Sequence, residues 1–149
     1  MGRRRQSRET ALQILYALDI TRVNVREMLR DGWTEKMLSP EIRDFTTALV
    51  TGVIERRDEI DACIQEYSTN WSLERIGLVD RNILRFAIYE LCFLPDIPPN
   101  VTINEAVEVA KKYGTDEAPA FINGILDRVK HAVGPGAMHL SMALSSSTS

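Results

Sequence analysis

Four arginines lie within the first eight residues of this chain, and their type and spacing suggest a definite chemistry. Arg3, Arg4 and Arg5 are consecutive, and Arg8 follows just before a predicted helix. Positive charge at a helix N-terminus opposes the helix dipole, so the cluster does not favour the helix. Guanidinium groups match phosphate oxygens well, and the cluster therefore suggests contact with a nucleic acid. The alternative is a solvated, disordered terminus.

The rest of the chain is acidic. The 149 residues carry a formal net charge of -3, and removing the four arginine charges leaves -7 on the remaining residues. A body with this charge repels nucleic acids away from the arginines, but it attracts a basic protein. We therefore expect two kinds of partner, a polyanion at the arginine end and a basic protein elsewhere.

Patterns typical of catalysis or metal binding are missing from the sequence. It contains no glycine-rich phosphate loop, HExxH motif or nucleophile elbow. Cys63 and Cys92 lie in apolar, helical segments without CxxC spacing, so we expect buried free thiols, no metal site and no cofactor. Glu90 lies at the edge of an apolar helical face, where a structural carboxylate is favoured over a catalytic acid. We do not expect an enzyme.

Two further residues each leave two interpretations open, and one residue pair has a simple structural interpretation. Phe121 lies at the margin of the last apolar stripe, where it either stacks on an unpaired base or belongs to the core. Tyr16 leans away from the main stripe of the first helix, as a partner contact or as a half-buried tyrosine. The pair Asp80-Arg81 begins a helix that ends at Leu94, and its simplest role is a cap followed by a solvated charge.

The elements that position these residues are all helical, because hydrophobic periods near 3.6 residues dominate the chain. We predict an all-α fold of seven or eight helices. Ser7 is the predicted cap of the first helix, and Ser39-Pro40-Glu41 begins another with a cap and a proline. Thr102 and Glu105 match a capping box. Gly114 is expected in the left-handed conformation that ends the same helix.

The helices are expected to form one domain over residues 1–134, with two packed subdomains and a flexible tail. The predicted segments are a basic arm (1–8), subdomains over about 7–56 and 57–133, a short helix over about 23–31, a helix or turn over 71–77, a last helix over about 117–133 and a tail (135–149). No apolar run approaches the roughly 20 residues of a membrane span, and no cleavage site follows the first helix. We expect a cytoplasmic protein.

Four segments in this order resemble the transcription antitermination factor NusB family. They are RRRQSRETALQILYALD, WSLERIGLVDRNILRFAIYEL, DIPPNVTINEAVEVAKKYG and FINGILDRV. The match runs over residues 3–133 in outline and is weak from about 22 to 65. The resemblance implies two packed helical subdomains and a binding function without catalysis.

The resemblance also implies partners. Members of this family pair with a small-subunit ribosomal protein that doubles as the factor NusE. The pair recognises boxA, a short single-stranded RNA element in leader and ribosomal RNA transcripts. It loads that RNA onto elongating RNA polymerase, so that termination is suppressed. Some relatives self-associate, which makes a homo-oligomer a further expectation to test.

Individual roles follow from the positions that match the family. The implied RNA-binding residues are Arg3, Arg4, Arg5, Arg8, Glu117, Phe121 and Asn123. Tyr16 and Asp80 match positions that face the ribosomal protein, and Arg81 lies beside that surface. Many members have a lysine directly before the phenylalanine, whereas this chain has Ala120, which removes one expected phosphate contact.

Two other functions compete with this one. The first is the helical RNA-recognition module found at the N-terminus of certain RNA cytosine methyltransferases. Such a protein should continue into a domain with a catalytic cysteine and a cofactor-binding sheet. The second is a protein-interaction scaffold, which predicts that deletion of residues 1–8 leaves every binding activity unchanged.

Overall fold

The computed structural model describes residues 2–21, 24, 26–27, 39–68 and 72–133. These residues form six α-helices and one short 3₁₀ helix, η1, and they contain no strand, which confirms the all-α fold. The elements in chain order are α1 (Arg3–Thr21), α2 (Pro40–Glu55), α3 (Arg57–Tyr67), η1 (Leu73–Arg75), α4 (Leu78–Phe93), α5 (Pro99–Tyr113) and α6 (Ala118–Val133). The helix expected over 23–31, the start of the segment 71–77 and the tail 135–149 lie mostly or wholly outside the described residues.

The central helix is α4. Its side chains are buried around most of its circumference, and Ile83, Phe86 and Ile88 are fully buried. All five other α-helices pack against it. A helix that is apolar on several sides is stable only when neighbours cover those sides, and α4 therefore organises the single core. No helix within the described ranges is long and apolar enough to cross a membrane.

The start of α2 follows its sequence signals. Pro40 is the first helical residue, where its missing N–H is not needed. The Ser39 hydroxyl accepts a hydrogen bond from the backbone N–H of Ile42 at 3.4 Å. The predicted start of α2 is therefore confirmed, and the last helix also lies where it was expected.

The starts of α1 and α4 differ from the predictions. Ser7 is not a cap, because α1 already begins at Arg3. Its buried hydroxyl donates instead to the backbone oxygens of Arg3 (3.1 Å) and Ile42 (3.0 Å), which ties α1 to α2. Asp80 is not a cap either, because Gly77 occupies that position and Asp80 lies in the first turn of α4.

The two ends of α5 also correct the sequence analysis. The helix begins at Pro99, so Thr102 and Glu105 lie inside it and form no capping box. Gly114 has φ -97° and ψ -176°, which is extended rather than left-handed. Glycine is needed there for space, because a Cβ would lie 2.7 Å from the Cβ of Ala118 and 2.9 Å from the backbone oxygen of Ala110.

Candidate nucleic-acid interface

The arginine cluster occupies the first two turns of α1 and is not an arm that precedes the helix. Arg3 forms an ion pair with Glu41 of α2, and both side chains are largely exposed. The guanidinium of Arg4 lies 4.7 Å from the centroid of the Phe45 ring. Arg4 forms no ion pair with any described residue. The two leading arginines are therefore at the surface, where a phosphate could reach them.

Arg5 is partly exposed and pairs with a carboxylate that the sequence analysis assigned elsewhere. Its Nε and Nη2 donate to the two carboxylate oxygens of Glu105 at 2.9 and 2.7 Å. The hydrogen bond from Arg5 lowers the pKa of Glu105 below its usual value. The bidentate geometry is also the one in which an arginine binds phosphate. Glu105 therefore occupies the position that an RNA phosphate would take on Arg5.

Arg8 is in the interior, which corrects its assignment to a cationic arm. Its side chain is 2% exposed, and its Nε and Nη2 each lie 2.7 Å from a carboxylate oxygen of Glu90. Thr102 donates a third hydrogen bond to Glu90 at 2.9 Å. This confirms the interpretation of Glu90 as a structural carboxylate. While this pair is formed, Arg8 is not available to RNA.

A second group of predicted residues lines a surface cavity of about 170 Å³ near the start of α6. Phe121 contributes an aromatic wall and packs partly against the core. Asp80 and the exposed Glu117 line the same cavity. The remaining lining residues are Arg75, Ile76, Gly77, Thr115 and Ala118. The cavity therefore brings together residues assigned to RNA and a residue assigned to the protein partner.

Asp80 and Arg81 differ in their environments, although they are neighbours. Burial raises the pKa of Asp80, which has no hydrogen bond or ion pair to any residue in the described ranges. Arg81 is not a solvated charge, because its Nη2 donates to the backbone oxygens of Glu74 (3.3 Å) and Ile76 (2.9 Å). Asp80 is thus the better candidate for a contact with a basic partner.

Tyr16 lies at the same end of the molecule as Asp80. Helix α1 runs antiparallel to α4, since Arg8 meets Glu90 while Asp19 accepts a hydrogen bond from Asn82 at 2.9 Å. Tyr16 is 38% exposed and lies one turn before Asp19. The structure therefore places both predicted partner-facing residues near the N-terminal end of α4.

The arginine cluster contacts α5 at Glu105, and the cavity lies just beyond the C-terminal end of α5, where Thr115 lines it. Glu105, which binds Arg5, precedes Gly114 by nine residues, or roughly 13 Å of helix. Between them, Lys112 pairs with Glu9 of α1 at 3.0 Å. A flexible single strand can span this distance.

Asn123 is exposed but does not line the cavity. It follows Phe121 by two residues, which is about 200° around α6. The two positions therefore face different directions, and the role of Asn123 stays a prediction.

The sequence analysis missed Arg75 and Glu105 as members of these surfaces. Nothing in the local sequence distinguishes Arg75 from other surface arginines, because Phe121 and Glu117, which line the same cavity, are more than 40 residues away along the chain. Glu105 was assigned to a capping box, and its contact with Arg5 joins positions that are 100 residues apart. Contacts between distant segments decide both cases.

Metal-binding chemistry finds no support in the described ranges, which contain no cluster of three or more potential ligands. Cys63 and Cys92 are buried and free, as predicted. Burial raises the pKa of the Cys92 thiol to about 12, so the thiol is uncharged at neutral pH.

Comparison with known proteins decides the family. The model of the NusB family matches residues 5–131. The chain belongs to the NusB family. The transcription antitermination protein NusB of Trichlorobacter lovleyi is 53% identical over 131 residues, which cover 87% of this chain and 92% of that protein. The NusB protein of Myxococcus xanthus is 47% identical, with 89% and 98% covered.

Solved NusB structures share the fold. NusB of T. maritima has a TM-score of 0.80 and 37% identity, covering 86% of this chain and 90% of that one. A chain in a structure of antitermination factors NusB and NusE in complex with dsRNA has a TM-score of 0.80 and 31% identity, covering 89% and 98%. Because NusB relatives are transcription antitermination proteins, the prediction of a non-enzymatic factor is confirmed.

Proposed function

We propose that this protein is an RNA-binding transcription antitermination factor that acts together with the ribosomal protein NusE. It binds boxA-type single-stranded RNA in the cytoplasm and promotes processive transcription of ribosomal RNA operons by RNA polymerase. The observation that carries the proposal is membership in the NusB family, together with the related structure that contains NusB, NusE and RNA. The relatives are matched over 92% and 98% of their lengths, which favours this function over a methyltransferase module.

The surface of α1 supports the RNA-binding part of the proposal. Arg3, Arg4 and Arg5 are accessible, and the carboxylates that pair with Arg3 and Arg5 can be exchanged for phosphates. Single-stranded RNA also exposes its bases for stacking, which suits Phe121 at the rim of α6. Glu117 and Asn123 are exposed on the same helix or just before it.

The end of the molecule with Tyr16 and Asp80 supports the partner. An exposed aromatic ring and an unpaired, half-buried carboxylate are features that a basic protein can bind. The net charge of -3 favours the approach of a basic ribosomal protein. Arg81 fixes the backbone beside this surface. The partner also adds cationic surface that the acidic chain lacks, which raises RNA affinity.

The RNA-binding part is tested by titrating labelled boxA RNA and a scrambled oligonucleotide of equal length with the complex at near-physiological ionic strength. We expect the complex to bind boxA more tightly than the scrambled RNA, and we expect its affinity for boxA to fall about tenfold or more when Arg3, Arg4 and Arg5 are all replaced by alanine. Circular dichroism should show unchanged helicity in this variant. Equal affinity of the complex for both RNAs contradicts the proposal.

The partner surface is tested separately by calorimetric titration with the ribosomal protein. Tyr16→Ala and Asp80→Arg should each weaken this complex by about tenfold, because one removes aromatic area and the other places like charges together. RNA binding by the isolated chain should change less. If RNA binding falls while the protein complex is unaffected, the surface has been assigned to the wrong partner.

A further inference from the structure

Arg75 is a cation without a function in the proposal so far. It ends η1 and lines the same cavity as Phe121. Its guanidinium makes no hydrogen bond or ion pair to any residue that the structure describes. Arg75 therefore presents a free charge beside an aromatic ring.

The backbone that carries Arg75 is held in place by a neighbour. The guanidinium of Arg81 donates to the backbone oxygens of Glu74 and Ile76, the residues on either side of Arg75. Buried Ile76 anchors the same turn in the core. The position of Arg75 at the cavity is thus fixed by the fold, while its side chain stays available.

The cavity has the size and the walls for one flat ring. Its volume is about 170 Å³, and a cavity of roughly 150 Å³ in another protein accommodates benzene. Phe121 packs partly against the core and so offers a wall of fixed orientation. Stacking of a base on an aromatic side chain tolerates any base, because every base has a π-face.

We propose that this cavity receives one unpaired nucleotide of the bound RNA, whose base stacks on Phe121 while its phosphate contacts Arg75. The inference rests on the proposed RNA binding and adds Arg75 as an RNA-binding residue. Arg75 thereby supplies a phosphate contact at the end of the molecule away from the arginines of α1.

The charges around the cavity fit a nucleotide with its phosphate on one side. The exposed carboxylate of Glu117 repels phosphate but can accept a hydrogen bond from the amino group of a base, whereas Asp80 stays assigned to the ribosomal protein. Without Arg75 the only charged side chains that line the cavity would be the carboxylates of Asp80 and Glu117, which repel phosphate. Arg75 is therefore the residue on which nucleotide binding depends, and a basic side chain of a protein partner is the competing occupant.

The first test measures RNA affinity against salt concentration for Arg75→Gln. A matched control is Arg56→Gln, which removes the same charge from an arginine that pairs with Glu59 and lies over Phe93 at the far end of α4. With a short single-stranded boxA RNA, we expect Arg75→Gln to weaken binding about tenfold and to lower the salt slope by about 0.7. Arg56→Gln should do neither, and Arg75→Lys should restore the slope.

The second test locates the base. Single abasic sites are placed along the same RNA, and one of them should weaken binding to the unmodified chain by about fivefold or more. The same abasic site should cost nothing further in Phe121→Leu, which keeps an apolar side chain against the core. Additive losses at every site would overturn the proposal.

Three outcomes separate this inference from the proposed function. Equal RNA affinities of the Arg75→Gln and Arg56→Gln variants, with normal RNA binding by the unmodified chain, would overturn the inference alone. Weaker binding of the ribosomal protein by Arg75→Gln, without an effect on RNA, would assign the cavity to the protein partner instead. An unmodified complex that does not bind boxA RNA would overturn both.

Discussion

Arg5 and Arg8 are three residues apart in α1, yet one is accessible and the other is enclosed. Arg5 binds Glu105 near the surface, whereas Arg8 binds Glu90 among apolar side chains. Residues three apart lie on neighbouring faces of a helix, so the helical pattern alone does not show which of the two arginines is buried. Arg8 also lies 3.8 Å from Glu105, so the burial of its pair with Glu90 separates the structural contact from the replaceable one.

Among the arginines of α1, Arg8 should contribute most to the free energy of unfolding, because its ion pair with Glu90 is buried. Arg8→Ala leaves a buried carboxylate without its counter-charge, and we expect a loss of about 3–5 kcal/mol in the free energy of unfolding. Urea denaturation followed by circular dichroism measures this change. The double variant Arg8→Met, Glu90→Leu should recover much of the loss, because no charge is then left unpaired. A single variant as stable as the unmodified chain would contradict the structural role.

Residue roles were predictable from the sequence where local chemistry determines them. Glu90 was interpreted as a structural carboxylate because it lies at the edge of an apolar face, and Cys63 was expected to be buried because it lies in an apolar helical segment. Arg8 was misplaced because its partner is 82 residues away along the chain. The aromatic wall and the cation of the cavity also come from separate segments, so no local pattern joins Arg75 to Phe121.

At the scale of elements, hydrophobic period located the helices but not all of their ends. The end of α2 that follows Ser39 was predictable because cap and proline are local signals. The starts of α1 and α5 were not, since distant groups stabilise them. Arg3 forms an ion pair with Glu41 of α2, and Thr102 donates a hydrogen bond to Glu90 of α4. Contacts with other helices therefore outweigh the unfavourable interaction between the arginines and the dipole of α1.

The crossing of α2 and α4 makes a prediction about Gly52. A Cβ at this position would overlap the distal ring atoms of Tyr89, so the ring must move if any other residue replaces Gly52. We expect Gly52→Ala to lower the free energy of unfolding by about 1–3 kcal/mol, as measured by urea denaturation.

A matched control lies in α6. Gly124 is also helical, but its nearest neighbour for a Cβ is the Arg128 side chain at 3.8 Å. Gly124→Ala should therefore stabilise the chain by about 0.5–1 kcal/mol, because alanine favours helix. Stabilisation by both substitutions would show that the contact between α2 and α4 can adjust.

At the scale of the whole molecule, the arginines are largely neutralised by the acidic body. Glu41 and Glu105 each bind one of them, which lowers the positive field that an approaching RNA meets. If these arginines bind RNA as proposed, binding exchanges carboxylates for phosphates and does not fill an empty cationic site. The arginine cluster alone indicated attraction to RNA and the acidic remainder indicated repulsion, but the ion pairs that join the two depend on the fold.

Replacing one of these carboxylates should strengthen RNA binding. Glu41→Gln leaves Arg3 without its partner and removes one negative charge, so we expect about two- to fivefold higher affinity at low salt. The gain should shrink as salt rises, because both side chains are exposed and screened. Fluorescence anisotropy at several salt concentrations measures it. Glu66→Gln, an exposed carboxylate on α3, is a control that should have little effect.

Because α1 both carries the accessible arginines and closes the core, shortening the chain at its beginning cannot isolate one role from the other. Removal of residues 1–8 would take away Arg8 along with Arg3, and Glu90 would be left alone among apolar side chains. A truncated protein that fails to bind RNA would thus be indistinguishable from one that fails to fold. Natural substitutions of Arg8 should therefore lower the amount of folded protein in the cell. Natural substitutions of Arg3 or Arg4 should leave that amount unchanged and affect only antitermination.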